Sequence, residues 1–333
     1  MPAAMRQIVL EAPGQLVDYR VPVPARARGE ALVRVRRVGV CGTDFHAFAG
    51  TQPIITYPRV LGHEIACDVI DAPANDRGIQ PGDRCAIEPY ISCRQCRACR
   101  LDRRNCCERL QVLGVHVDGA MQTFLAVPID LLHKSDVLSL DQLALVETLG
   151  IGAHAVARSG IAAGEDVLVI GAGPIGLSVW QFARAEGARV RLVDKSDSRR
   201  VFAERFGAEI LGAPDGRLAD AVFDATGSAA SMAASLHHVA PAGRLTFVGI
   251  CRDPVSLDDP LFHTREVTLY ATRNSHREFP RIVRMIEEGR IDTSAWITDR
   301  VRLSEVPRVF ADLRQRPHTI KAMIDVDDDG AEE

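Results

Sequence analysis

Three groups of residues in this 333-residue chain have types and spacings suited to chemistry. The first is Val40-Cys41-Gly42-Thr43-Asp44-Phe45-His46 with Leu61-Gly62-His63-Glu64. A thiolate, an imidazole and a carboxylate on neighbouring loops suit zinc with an open coordination position. Taken singly, Cys41 reads as a small core residue and His63 as a satisfied core histidine. The second group is Cys93-x-x-Cys96-x-x-Cys99-x7-Cys107. Four sulfurs on short loops match tetrahedral zinc, and four thiolates leave no place for substrate, so such a zinc is structural. Cys106 is an alternative fourth ligand to Cys107. Arg94, Arg97, Arg100, Arg103, Arg104 and Arg109 read as a solvated face around an anionic zinc–thiolate centre rather than a nucleic-acid patch.

The third group is Gly171-Ala-Gly173-Pro174-Ile175-Gly176, a G-x-G-x-x-G run. It follows the apolar run 167–170 and opens a helix-like stretch. Asp194 lies 23 positions after Gly171, close to the roughly 20 of dinucleotide-binding turns. Gly171 allows the tight turn, Gly173 lets a diphosphate approach, and Gly176 lets helix and strand pack. A carboxylate at Asp194 suits ribose hydroxyls and repels a 2′-phosphate, which favours NAD over NADP. Arg199 and Arg200 are placed to meet a phosphate and complicate that preference.

These groups need elements to hold them. To about residue 130 the chain reads as short strands broken by Gly and Pro, a β-rich lobe. From about residue 141, strands alternate with helices, which argues for a parallel sheet covered on both faces. After residue 273 come a helix-like run and a mixed tail, and the acidic end DVDDDGAEE is expected to fray. The composition, 47% apolar and 25% charged with net charge −4, fits a folded chain with a sizeable core. It argues against a disordered chain and against a polybasic nucleic-acid or membrane binder. Nine Cys, an odd number, with no leader-like apolar block, argue against disulfides, and in a reducing compartment the clustered ones read as metal ligands. The expected location is the cytoplasm, with neither membrane nor nucleic acid as partner.

In this order, CGTDFH, GHE, the four-Cys lobe, GAGPIG and the acid resemble the zinc-dependent medium-chain dehydrogenases, the family of alcohol, sorbitol and threonine dehydrogenases. The resemblance spans essentially the whole chain. It implies an α/β protein with a GroES-like β-rich catalytic domain over 1–146 and the structural zinc lobe at about 92–109. A Rossmann NAD-binding domain would span 147–272, and 273–333 would return to the catalytic domain. It implies two zinc ions per chain, one catalytic and one structural, and NAD. Cys41 and His63 would ligate the catalytic zinc, with Glu64 as the acidic ligand of the sorbitol and threonine branches. Glu147 would bind zinc directly, through water or only in some states; its plainer reading is an ordinary helix carboxylate. Thr43 would take the substrate proton and His46 pass it to solvent. Asp44 would orient His63, and Arg199 would contact the adenosine ribose.

The stretches 50–65, 112–128 and 268–275 further resemble bacterial sugar-acid 5-dehydrogenases of the L-galactonate and L-gulonate type. That implies a small polyhydroxy substrate. Arg273 and Asn274, after a strand end, and His116, on a loop, are its expected contacts. Arg273 would pair with a carboxylate, or hold hydroxyls, the cofactor or a structural partner. Polyol or L-threonine dehydrogenase is the alternative within the class. A non-enzymatic zinc- and NAD-binding regulator is the alternative outside it, and a zinc-free quinone reductase is disfavoured by the same ligands. A homodimer or homotetramer through the strand edge near 265–272 is expected. Between Asp194 and Ala221 the chain looks short for the family, as though a Rossmann helix or strand were trimmed.

Overall fold

The computed structural model describes residues 2, 4–316 and 318–326. The acidic end from Asp327 onward lies outside the described residues. The chain divides into two compact units, 1–147 with 279–287 and 293–333, and 148–278 with 288–292.

The first unit is built on antiparallel pairing. Its long strand Glu30–Val40 has core residues Val33, Val35 and Val38, all fully buried. It pairs with Glu64–Asp71 on one side and Lys321–Asp325 on the other, both antiparallel. Phe124–Pro128 also pairs with it, and Arg84–Ile87 and Leu132–Lys134 extend the sheet. The last strand therefore arrives from the far end of the chain to complete this sheet. The returning helix Val306–Leu313 brings the buried Phe310 against Phe45 and Phe48, with ring centroids 5.2 and 5.3 Å away. Those two rings belong to helix Gly42–Phe48, which carries Thr43, Asp44 and His46.

The second unit is a six-stranded parallel sheet. Its order is Glu209–Leu211, Arg189–Val193, Asp166–Ile170, Ala219–Asp224, Val239–Phe247, Thr268–Ala271. In chain order this is 3-2-1-4-5-6, the doubly wound arrangement of dinucleotide-binding folds. Leu168, Val193, Val222, Leu236, Val239 and Leu245 form one buried cluster on it. This unit runs past the expected boundary at residue 272 to Glu278. It also takes in 288–292, because Gln181 and the Asp292 backbone exchange two hydrogen bonds of 2.7 Å.

The shortened stretch lacks a helix rather than a strand. Helix Asp197–Arg205 leads to the three-residue strand Glu209–Leu211, and 212–218, all described, joins it directly to Ala219–Asp224. Where a covering helix would bring apolar side chains, Arg191 is buried and its guanidinium reaches Asp215 at 2.7 Å. Arg217 ties the same loop to Asp215 and Glu209.

Candidate active site

Three strands bring the first group together. In the pairing of Glu30–Val40 with Glu64–Asp71, Gly39 stands opposite Glu64. In the pairing with Lys321–Asp325, Val40 stands opposite Ala322. The Glu64 carboxylate therefore lies over Gly39 and beside Lys321. A Cβ on residue 39 would come within 1.9 Å of Glu64 Oε2, so only glycine leaves it room. Lys321 Nζ donates to both Glu64 oxygens, at 2.6 and 2.8 Å, and lies 3.4 Å from the Val40 carbonyl. Burial alone would lower the Lys321 pKa, but the Glu64 carboxylate and Cys41 thiolate outweigh it and hold the ammonium charged.

Cys41, His63 and Glu64 each offer one donor atom, and these atoms lie within 4.8 Å of one another. Cys41 precedes helix Gly42–Phe48, and its amide donates to Asp44 Oδ2 at 2.8 Å. Asp44 Oδ1 stands 3.7 Å from His63 Nδ1, a buried nitrogen with no hydrogen-bond partner among the described residues. Burial works to lower the His63 pKa, yet the Asp44 and Cys41 charges raise it well above the ordinary value. Burial raises the Asp44 carboxyl. A half-buried soft thiolate converging with a buried imidazole and carboxylate fits zinc.

The structure does not bring Glu147 into this donor group. Glu147, on helix Leu140–Ser159, accepts a short hydrogen bond from the Tyr90 hydroxyl at Oε1. Burial raises the pKa of both groups, and the Glu147 charge drives the Tyr90 phenol further up. Thr43 Oγ1 lies 3.8 Å from Cys41 Sγ. His46 is exposed, with Nδ1 3.0 Å from Thr51 Oγ1.

The four sulfurs of Cys93, Cys96, Cys99 and Cys107 likewise converge within 4.8 Å, while Cys106 is exposed and outside the group. Amides of Gln95 and Cys96 draw the Cys93 thiol down to about 6, whereas burial and neighbouring thiols push Cys99 up to about 12. Four such thiols fit zinc, which displaces their protons.

In the second unit Gly171 has φ +98°, and Gly173 precedes helix Pro174–Ala185 with Pro174 in its first turn. A Cβ on residue 176 would come 1.7 Å from the Gly171 carbonyl oxygen, so helix and turn touch only through glycine. Asp194 Oδ2 accepts from the Ala172 amide at 2.7 Å, and Oδ1 from the Ser196 amide at 2.8 Å. The carboxylate is thereby fixed against the turn, with Arg199 Nη1 at 3.5 Å. That guanidinium stands 3.8 Å from where a Gly173 Cβ would be. An open glycine cradle at a helix N-terminus, flanked by a guanidinium and an oriented carboxylate, fits a nicotinamide dinucleotide. Arg200 is turned away to the Asp194 carbonyl and Asp197.

The three expected substrate contacts are split between the units. His116 lies in the first, its Nδ1 accepting from the Val112 amide at 3.2 Å. Arg273, exposed, and Asn274, with φ +53°, lie in the second, just beyond strand Thr268–Ala271. Lys321, Tyr90 and Thr51 were not picked out by sequence reasoning. The signal for Lys321 was a lone cation in the otherwise apolar strand-like run IKAMI. Tyr90 and Thr51 gave none.

Residues 27–137 match the alcohol dehydrogenase GroES-like domain, and 174–288 the zinc-binding dehydrogenase domain. The chain is 36% identical to L-galactonate-5-dehydrogenase of Escherichia coli K12, over 97% of this chain and 99% of that one. The E. coli CFT073 alcohol dehydrogenase rspB, solved with NADH, superposes with TM-score 0.92 at 26% identity, covering 98% of this chain and all of that one. A zinc-binding dehydrogenase of Sinorhizobium meliloti bound to NADP gives TM-score 0.90 at 28% identity with the same coverage. The chain belongs to the zinc-type medium-chain alcohol dehydrogenases, oxidoreductases acting on CH–OH groups with zinc and a nicotinamide dinucleotide. Its GroES-like and Rossmann parts are those the sequence motifs imply. No helix among the described residues is long and apolar enough to cross a membrane.

Proposed function

We propose that this enzyme oxidises a secondary hydroxyl of a sugar acid, of the L-galactonate or L-gulonate type, with NAD+ as acceptor. The observation that carries the reading is the convergence of the half-buried Cys41 with the buried His63 and Glu64, three donors that leave a tetrahedral position for a substrate hydroxyl. When bound there, zinc supplies Lewis acidity that lowers the hydroxyl pKa, and the nicotinamide supplies the hydride acceptor. Thr43 takes the hydroxyl proton, and its position 3.8 Å from Cys41 Sγ supports that role. His46, its ring steadied by Thr51, passes the proton to solvent. Asp44 orients His63 through Nδ1. Glu147, tethered by Tyr90, serves as an outer carboxylate rather than a direct ligand.

Gly171, Gly173, Pro174, Ile175 and Gly176 form the diphosphate cradle, with Arg199 beside it. Asp194 accepts from the adenosine ribose, and its fixed negative charge favours NAD over NADP. The Cys93, Cys96, Cys99 and Cys107 lobe holds a second, structural zinc. Arg273 pairs with the substrate carboxylate, and Asn274 and His116 meet its hydroxyls. Kinship with L-galactonate-5-dehydrogenase over nearly the full chain supports this substrate class. The catalytic domain, Rossmann domain and returning segment divide near 147 and 278, in a cytoplasmic homodimer or homotetramer. The exposed strand Thr268–Ala271 at the sheet edge supports that association.

The test is NAD+ reduction with L-galactonate and L-gulonate beside a matched polyol panel, with zinc counted by elemental analysis. Acids preferred by about tenfold in kcat/KM, near 1.4 kcal/mol of transition-state preference, uphold the assignment. A preference for polyols moves the enzyme to the sorbitol-type dehydrogenases, and a chain without zinc removes both metal assignments.

A further inference from the structure

Lys321 lies outside every motif named above, yet it is buried at the candidate metal cluster. Its ammonium engages both oxygens of Glu64, at 2.6 and 2.8 Å, while the same carboxylate supplies one of the three converging donor atoms. The side chains of Lys321 and Glu64 are 3% and 1% exposed, so water cannot take over either charge. The arrangement is built in: Gly39 leaves the space for the carboxylate, and strand Lys321–Asp325 lies in register with Glu30–Val40. Glu64 thus faces two cations, one supplied by the chain and one by any metal at the cluster.

We infer that Lys321 is an internal competitor for the metal, a positioning residue that holds the donors assembled when no metal is bound and weakens the metal's hold when it is. An ammonium already hydrogen-bonded to a ligand carboxylate repels an incoming dication, and in a buried site that repulsion is only partly screened. A carboxylate shared between two cations also gives less to each. The same ion pair stabilises the metal-free site, because an unpartnered buried Glu64 would be costly. This inference rests on reading Cys41, His63 and Glu64 as a metal site.

The test uses the full chain with its four-thiolate lobe filled, and measures Zn2+ affinity at the second site by competition with a chromophoric chelator. Lys321→Met should bind zinc roughly tenfold tighter than the wild type, a tenfold change being about 1.4 kcal/mol. Its unfolding temperature should fall further in the stripped form than in the zinc-loaded form. Lys321→Arg, which keeps the cation, should bring both readings back towards the wild type. Unchanged or weaker zinc binding in Lys321→Met overturns the inference, as does an equal loss of stability in both forms. Should that variant not fold, Lys321→Gln is held to the same criteria. A wild-type chain that takes up zinc only in the lobe overturns the metal-site reading itself and the inference with it.

Discussion

Replacing Tyr90 with Phe deletes one hydroxyl from a buried contact and changes little else in shape. The two residues sit on different elements of the first unit, strand Tyr90–Ile91 and helix Leu140–Ser159, and are 7% and 5% exposed. A hydrogen bond to a charged group contributes about 1.5–3 kcal/mol, and a neutral one about 1 kcal/mol. The pH dependence follows from Glu147. Burial holds its folded pKa above the ordinary 4.5, and the Tyr90 hydrogen bond opposes that rise. A carboxyl raised in the folded state adds stability that is full below its unfolded pKa and is lost as pH rises through the folded value. Without Tyr90 the folded value climbs further, so more stability is lost on the alkaline side. In metal-stripped protein, Tyr90→Phe should therefore cost about 1 kcal/mol near pH 4.5 and about 2–3 kcal/mol at pH 8. For a unit of this size each kcal/mol lowers Tm by about 2–4 °C. Thermal unfolding of both proteins at the two pH values reads this directly. An equal loss at both, or none at pH 8, refutes the reasoning.

Cys107→Ser should remove one zinc per chain and loosen the lobe, while Cys106→Ser should leave the metal count unchanged; elemental analysis of the pair decides between the two cysteines. Arg273→Ala should raise KM for a sugar acid roughly tenfold more than for a polyol of equal length, about 1.4 kcal/mol of lost carboxylate pairing. Equal effects on both substrates sink the carboxylate role. Asp194→Ala should raise KM for NAD+ and narrow any preference over NADP+; an unchanged ratio would show that the carboxylate does not select the cofactor.

What was legible in the sequence was short and local. CGTDFH, GHE, the four-Cys run and GAGPIG are each short, so their residues stand out in the sequence, while the roles of Cys41, His63 and Glu64 came with the family resemblance. The short strands broken by Gly and Pro before residue 130, and the strand–helix rhythm from about residue 141, disclosed the two sheets for the same reason. The partners that govern the site were not local. Tyr90 and Glu147 are 57 positions apart, and Glu64 and Lys321 are 257. Such pairs become neighbours only through strand register or helix packing, which no single stretch of sequence contains. For Glu147 the helix was readable, but not the tyrosine that takes up its carboxylate. The short stretch after Asp194 was visible as missing length. That the buried Arg191, paired with Asp215, stands where the absent helix would pack was not.

The strand Lys321–Asp325 also sets a timetable. A ribosome adding about 5–20 residues per second needs roughly 13–50 s to travel the 257 positions from Glu64 to Lys321. Over that interval the nascent first unit has Cys41, His63 and Glu64 but neither the neighbouring strand nor the ammonium. All strands of the second unit lie between residues 166 and 271, so its sheet is complete in sequence well before then. The dinucleotide fold can thus close during synthesis. The candidate metal centre reaches its final electrostatic state only once Lys321 emerges, after the whole dinucleotide sheet has been made.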